Sequence, residues 1–81
     1  MALYYFNCEG AQNFTDQDGT ELETFEEVRF QAIKNAGEIL RDHADQFADT
    51  PRWRLFVTDD AGRTVFVIHF SAEEPRNVGS L

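Results

Sequence analysis

The sequence predicts an α+β fold in the order β-β-α-β-β, with one long amphipathic helix packed on a small antiparallel sheet. Residues 24–48 repeat apolar side chains at helical spacing, whereas the segments before and after them are aromatic-rich or alternate as strands do. Turns that contain glycine and aspartate separate these segments. We therefore expect a single α+β domain over residues 1–70 and a C-terminal tail, residues 71–81, that frays.

The predicted helix runs from Thr24 to Ala48. Thr24 and Glu27 have the spacing of a capping box, in which each side chain accepts a hydrogen bond from the other residue's backbone N–H. The apolar stripe of this helix comprises Phe25, Val28, Ala32, Ala36, Ile39, Leu40, His43 and Phe47. Phe30 projects away from the stripe. A straight helix of about 36 Å would overhang strands of about 26 Å, and Phe47 lies in the overhanging part.

Four strands are predicted around the helix: Ala2–Cys8, Gln12–Thr15, Arg52–Thr58 and Arg63–Phe70. The connection between the last two strands suits a type I turn with Gly62 in the left-handed conformation. This turn sets a register in which Val57 faces Val65, Phe56 faces Phe66, Leu55 faces Val67 and Trp53 faces His69. The sequence alone leaves the order of the strands in the sheet open.

Alternation along the last two strands gives two apolar sheet faces, and a single helix covers only one of them. The uncovered face would carry Phe56, Phe66, Ile68 and Phe70. Two helix residues that project away from the core or past the sheet, Phe30 and Phe47, are added to this surface. The candidate partner interface is therefore Phe30, Phe47, Phe56, Phe66, Ile68 and Phe70. A homodimer mate or another protein would cover this surface, and the alternative cover is the tail through Val78 and Leu81.

Fifteen acidic and seven basic residues give a net charge of −8. This charge disfavours direct binding to nucleic acid or to an anionic membrane, and it suits a basic partner. The single Cys8 excludes an internal disulfide and a cysteine-based zinc cluster. With neither a secretory leader nor an apolar run of membrane-spanning length, a cytoplasmic location is expected.

The acidic loop before the helix is the first candidate for chemistry. Asp16, Asp18 and Glu21 surround Gly19 but lack the ligand spacing of a calcium-binding loop. A turn stabilised by its own side chains is therefore the expected structure.

The two histidines are the second candidate. His43 and His69 are predicted at the same end of the molecule, and Cys8 is the only further soft metal ligand. Edge positions with solvated ring tips suit both histidines better than a metal site. Neither a Ser-His-Asp arrangement nor a phosphate-binding glycine loop occurs in the sequence, so we expect no enzyme, cofactor or metal.

Three patterns in the sequence are similar to a known family: Tyr4-Tyr5-Phe6, then Asp16-x-x-Gly19-x-Glu21-Leu22 before an alanine-rich helix, and Trp53-x-Leu55-x-Val57-x-Asp59-x-x-Gly62. Over roughly positions 3 to 70 the chain resembles a family of short bacterial proteins that is catalogued as a domain of unknown function. The resemblance implies the β-β-α-β-β fold and a bacterial origin. It implies no activity, cofactor or catalytic residue.

These observations favour a non-enzymatic interaction module, which self-associates or docks a protein partner through its apolar sheet face. The alternative is an acidic inhibitor or nucleic-acid mimic that occupies a basic site on another protein. A small enzyme with a composite site in an oligomer is the third hypothesis, and only the two histidines motivate it. Added salt separates the first two, since mimicry weakens steeply with ionic strength.

Overall fold

The computed structural model describes residues 1–10 and 13–75, which form four strands and two helices. In chain order these are β1 (Ala2–Glu9), β2 (Thr20–Leu22), α1 (Phe25–Asp42), α2 (Ala44–Asp49), β3 (Arg52–Asp59) and β4 (Thr64–Ser71). The strands form one antiparallel sheet in the order β2-β1-β3-β4. The predicted α+β class is confirmed, whereas residues 76–81 of the predicted tail lie outside the described residues.

The second strand is not where the sequence placed it. The predicted segment Gln12–Thr15 contributes a single bridge, in which Phe14 exchanges two backbone hydrogen bonds with Cys8. Gln12 itself lies outside the described residues. The reason is that the Asp16 carboxylate, rather than a strand, accepts the backbone N–H of Phe6. The chain therefore turns as a loop and pairs with β1 only later, at β2.

Helix α1 begins as predicted. Thr24 Oγ1 accepts the N–H of Glu27 at 3.1 Å, and Glu27 Oε1 accepts the N–H of Thr24 at 3.1 Å. The middle of the apolar stripe, Val28, Ala32 and Ala36, is buried against the sheet and forms the core with Phe6, Leu55 and Val57. Phe25, at the start of the stripe, is 44% exposed. The capping box and the buried middle of the stripe are thus confirmed.

Replacing Thr24 by alanine should lower the free energy of unfolding by about 1 kcal/mol, because the N–H of Glu27 loses its acceptor. Urea denaturation of the parent and the variant measures this loss. Thr24→Ser is the matched control, since a serine hydroxyl can accept the same hydrogen bond. Equal losses in the two variants would contradict the role of the cap.

The prediction of a single helix through Ala48 is wrong, because the helix is interrupted at His43. This residue has φ −125° and ψ 36°, ends α1 and precedes α2. The break places Phe47 over the end of the sheet, with its ring centroid 6.2 Å from that of Trp53 and 5.9 Å from that of Phe70. A straight helix would carry Phe47 past the sheet, so packing of this ring against its two neighbours favours the bend.

The last hairpin departs from the predicted register one pair after its turn. Gly62 has φ 83°, as predicted, and Thr58 pairs with Thr64. An irregularity then leaves one extra residue in β4, so that Val57 pairs with Phe66 instead of Val65. A shift by one residue moves every later side chain to the opposite face. The predicted assignment of faces is therefore wrong: Phe66, Ile68 and Phe70 lie on the helix side.

Candidate interaction surface

The six residues of the predicted interface do not form one patch. The helix side of the sheet carries Phe66, Ile68 and Phe70, which pack against the core. Phe47 is half-buried on the aromatic rings at the end of the sheet. Phe56 lies on the opposite face, and Phe30 is 71% exposed on the outer side of α1. Whether any of these residues binds a partner stays a prediction.

The sheet face opposite α1, here called the open face, is less apolar than predicted. From the strand pairings and alternation it carries Tyr5, Arg54, Phe56, Val67 and His69. The Arg54 guanidinium carbon lies 4.5 Å from the ring centroid of Phe56, and Arg54 Nε lies 2.7 Å from Glu9 Oε1. Arg54 thus covers part of the Phe56 ring. The open face is a mixed surface rather than a bare aromatic one.

At the β2 edge of the sheet, a loop covers the part of β1 that β2 leaves unpaired. Strand β2 pairs with only the first residues of β1, up to Tyr4. Farther along, the Phe6 N–H donates to Asp16 Oδ2 at 3.1 Å. Cys8 and Phe14 exchange backbone hydrogen bonds of 3.0 and 2.9 Å. The loop therefore occupies backbone groups that would otherwise be free to bind another strand.

The other edge is β4, and within the described chain no strand pairs with its outer side. The Ala72 N–H donates to the Pro51 carbonyl at 3.1 Å, which fixes the alternation of backbone groups along β4. The outward-pointing groups belong to Val67, His69 and Ser71. None of the eight residues of β4 is an aspartate, glutamate, lysine, arginine or proline. Charged groups and proline commonly protect an exposed edge, as do bulges. Beyond the irregularity at Val65, β4 is therefore an open strand edge.

The side of α1 above β4 is largely apolar and partly exposed, and its one charged residue, Arg29, lies over the ring of Phe25. The ring of Phe25 lies 6.1 Å from that of Phe66 in β4, which identifies this side of the helix. At 3.6 residues per turn Ile33 and Leu40 follow on the same side. Phe25 is 44% and Ile33 is 61% exposed. We call Phe25, Arg29, Ile33 and Leu40 the α1 flank.

A cleft of about 610 Å³ lies on the other side of α1, between the helix and the loop before β2. Acidic side chains at its rim are Asp16, Asp18, Glu38 and Asp42, and its described lining contains neither lysine nor arginine. Cys8, 3% exposed, lies at the apolar floor. Burial, and next the charge of Glu9, raise the pKa of the Cys8 thiol. A protonated thiol is a poor nucleophile, so the cleft offers no activated cysteine.

The two histidines do not converge. The His43 ring lies 6.3 Å from that of Trp53 on the helix side of the sheet. His69 pairs with Arg54 and so belongs to the open face. Among residues 1–10 and 13–75, no three histidine, cysteine or carboxylate side chains are grouped closely enough to hold a metal ion.

The acidic loop forms the predicted turn. Asp16 Oδ1 accepts the backbone N–H groups of Asp18 and Gly19 at 3.1 and 3.0 Å, and Gly19 has φ 75°. Burial alone would raise the pKa of the Asp16 carboxyl, but hydrogen bonds from the N–H groups of Gly19, Phe6 and Asp18 lower it below its ordinary value. The carboxylate that a calcium loop would use is thus engaged by the backbone.

The chain matches a known protein family. A family model described as "Domain of unknown function (DUF6894)" covers residues 3–71. No curated protein and no solved structure shows a significant match. The match agrees with the resemblance noted in the sequence, while the bacterial origin stays a prediction. None of the helices in the described part of the chain is long and apolar enough to cross a bilayer.

Proposed function

We propose that this chain, which belongs to the DUF6894 family, is a non-enzymatic interaction module that binds another protein chain at its sheet. The observation that carries the proposal is the difference between the two sheet edges. One edge is the three-residue β2, which contains Glu21, with a loop covering the rest of β1, whereas the other is the eight-residue, uncharged β4. An incoming strand at such an edge gains backbone hydrogen bonds, and its side chains fit alternate positions. The binding surface is then the β4 edge rather than the predicted sheet face.

The chemistry of the described side chains supports binding over catalysis. The cysteine thiol is buried and its pKa is raised. The Asp16 carboxylate is engaged by three backbone N–H groups. The two histidines lie on opposite faces of the sheet. A nucleophile with an adjacent base, which covalent catalysis needs, is therefore not assembled among these residues.

The acidic-inhibitor alternative has one observation in its favour, the acidic rim of the cleft beside α1. Ionic strength distinguishes the two functions. Binding at the uncharged β4 edge should be little affected when salt rises from about 0.1 M to about 0.5 M, whereas binding of a basic partner at the acidic rim should weaken strongly.

A peptide that copies residues 63–72 tests whether β4 accepts a strand. We expect it to slow hydrogen exchange at the outward-pointing amides of Val67, His69 and Ser71, because each gains a carbonyl acceptor. Residue-resolved exchange by NMR measures this effect. The amides of Ile68 and Phe70, which point towards β3, are the internal reference. A peptide with proline at the positions of Val67 and His69 is the matched control.

Two results support the proposal: protection by the peptide, or protection in the free protein that disappears on dilution. Fast exchange of all three outward amides at high protein concentration, with and without peptide, contradicts it. Protection that is independent of concentration also contradicts it, because an intramolecular segment would then occupy the edge.

A further inference from the structure

We propose that the chain bound at β4 is a second copy of this protein, joined by antiparallel pairing of two β4 strands about a two-fold axis that passes between the two Ile68 residues. This inference rests on the proposed function and adds the partner and its geometry. The product is a continuous sheet of eight strands, with both α1 helices on the same face. Each copy supplies the same edge, so the interface is isologous.

The register follows from symmetry and from the direction of the backbone groups. Directly paired residues of antiparallel strands point to the same face, so a two-fold axis normal to the sheet must pass between a residue and its own copy in the second strand. An axis at Ile68 places Val67 opposite His69 of the second copy, and both present outward backbone groups. On the helix side it places Phe66 opposite Phe70 of the second copy, a favourable aromatic cross-strand pair.

The position of α1 agrees with the same axis. Phe25 near the start of the helix contacts Phe66, and His43 at its end contacts Trp53, the strand partner of Phe70. The middle of α1, near residue 34, therefore lies level with Ile68, between β3 and β4. The axis beside Ile68 consequently brings the exposed Ile33 of one copy towards that of the other.

The distance between the helices is suitable for contact. Helix α1 packs on β3 and β4, and strands are about 4.8 Å apart, so the two helix axes would be about 10 to 14 Å apart. Directly packed helices are about 8–10 Å apart. Side chains of the size of Ile33 and Leu40 can close the difference, and these are the residues that the α1 flank presents.

Charge does not oppose this pairing, although the chain carries a net charge of −8. The acidic residues Glu38 and Asp42 line the cleft on the far side of α1. The first turn of the helix contains Glu26, and its last turn contains Arg41, which also forms an exposed ion pair with Asp42. Antiparallel helices would place Glu26 of one copy near Arg41 of the other, so that opposite charges meet at both ends.

The area of the interface sets the concentration at which to look for it. An edge of eight residues is about 27 Å long, and the sheet and helix layers together are about 20 Å deep. The dimer would then bury about 1,100 Å² in total, which is near the lower limit for specific complexes. We expect association at micromolar to high-micromolar concentration.

Disulfide trapping tests the register. Val67→Cys and His69→Cys are made separately, mixed and oxidised with glutathione disulfide. The two introduced thiols would lie on paired positions with Cα atoms about 5.5 Å apart, within disulfide range. We expect the mixed disulfide to exceed both homodisulfides by more than the statistical twofold. The parent protein, with Cys8 3% exposed, is the control for background cross-linking.

Light scattering coupled to size exclusion tests the helix contact. Ile33→Asp should weaken dimerisation at least about tenfold, because it places two carboxylates on the axis. Phe30→Asp is the matched control: this residue is also exposed, but it lies on the outer side of α1, near Leu22 and Gln31. Thermal melts at a concentration where both variants are monomeric check that their folds are equally stable.

The outcomes separate this inference from the proposed function. Statistical or absent mixed disulfide, equal effects of the two helix variants, or a parent mass that stays at 9.3 kDa at high-micromolar concentration would overturn the dimer. Slowed exchange of the β4 amides with the peptide would then still support strand addition at the edge. If neither dimerisation nor slowed exchange of the β4 amides is observed, both the dimer and the proposed strand addition are overturned.

Discussion

Replacing Gly10 by alanine should lower the free energy of unfolding by about 2–3 kcal/mol, because the added methyl group overpacks the core. A Cβ at this position would lie 2.4 to 2.6 Å from the Cγ, Cδ2 and Cδ1 atoms of Trp53. Trp53 is only 5% exposed, and its ring lies against those of His43, Phe47 and Phe70. The indole therefore cannot turn away without disturbing the aromatic cluster that holds α2.

Gly37→Ala is the matched control for this experiment. No other atom lies within 4 Å of the Cβ that it would add, and the position is inside α1. Alanine should stabilise the helix here by about 0.5–1 kcal/mol. Trp53 is the only tryptophan in the chain, so urea denaturation followed by its fluorescence measures the stability of both variants. Equal stability of Gly10→Ala and the parent would mean that Trp53 does not pack on Gly10.

The features that the sequence predicted correctly are those set by neighbouring residues. The capping box needs only Thr24 and Glu27, three positions apart, and the turn needs a glycine at position 62. By contrast, His43 ends α1 without a nearby glycine or proline to signal it. The break depends on Phe47 reaching the rings of Trp53 and Phe70, which are distant in sequence, so helical periodicity could not reveal it.

The bulge at Val65 explains why the faces of β4 were predicted wrongly. Strand β4 is apolar at both odd and even positions, so alternation gave no sign of a one-residue shift. The unshifted register predicted too much apolar surface on the second face, and hence an interface at Phe56, Phe66, Ile68 and Phe70. In the structure the helix side receives most of these residues.

The candidate edge was only partly visible in the sequence. That β4 contains neither charged residues nor proline can be read directly from the sequence. Strand β4 is an edge strand because the order of the sheet is β2-β1-β3-β4. This order is decided by pairing between segments that are distant in sequence. The covering of β1 by the loop likewise depends on a contact between distant residues, because the Asp16 side chain accepts the Phe6 N–H from ten positions away.

Removing the Asp16 carboxylate should destabilise the fold, because this side chain holds the loop that covers β1. Asp16→Ala should cost about 2–3 kcal/mol, because the N–H groups of Phe6, Asp18 and Gly19 lose their acceptor together. Asp16→Asn should cost less, about 1–2 kcal/mol, since its oxygen can still accept from the turn while its NH₂ group meets the Phe6 N–H. Asp18→Asn, at an exposed site, is the control and should change stability by less than about 0.5 kcal/mol.

The same carboxylate should make stability depend on pH in acid. Backbone hydrogen bonds hold the pKa of folded Asp16 below its ordinary value of 3.8. Its stabilising contribution is therefore complete above that value and is lost as the pH falls through the lower pKa of the folded state. Urea denaturation between about pH 6 and about pH 2 should show a shallower acid decline for Asp16→Asn than for the parent. Some decline should remain, because hydrogen bonding from Arg63 also lowers the pKa of Asp59. Parallel curves for parent and variant would show that the Asp16 carboxylate is not held by the backbone in solution.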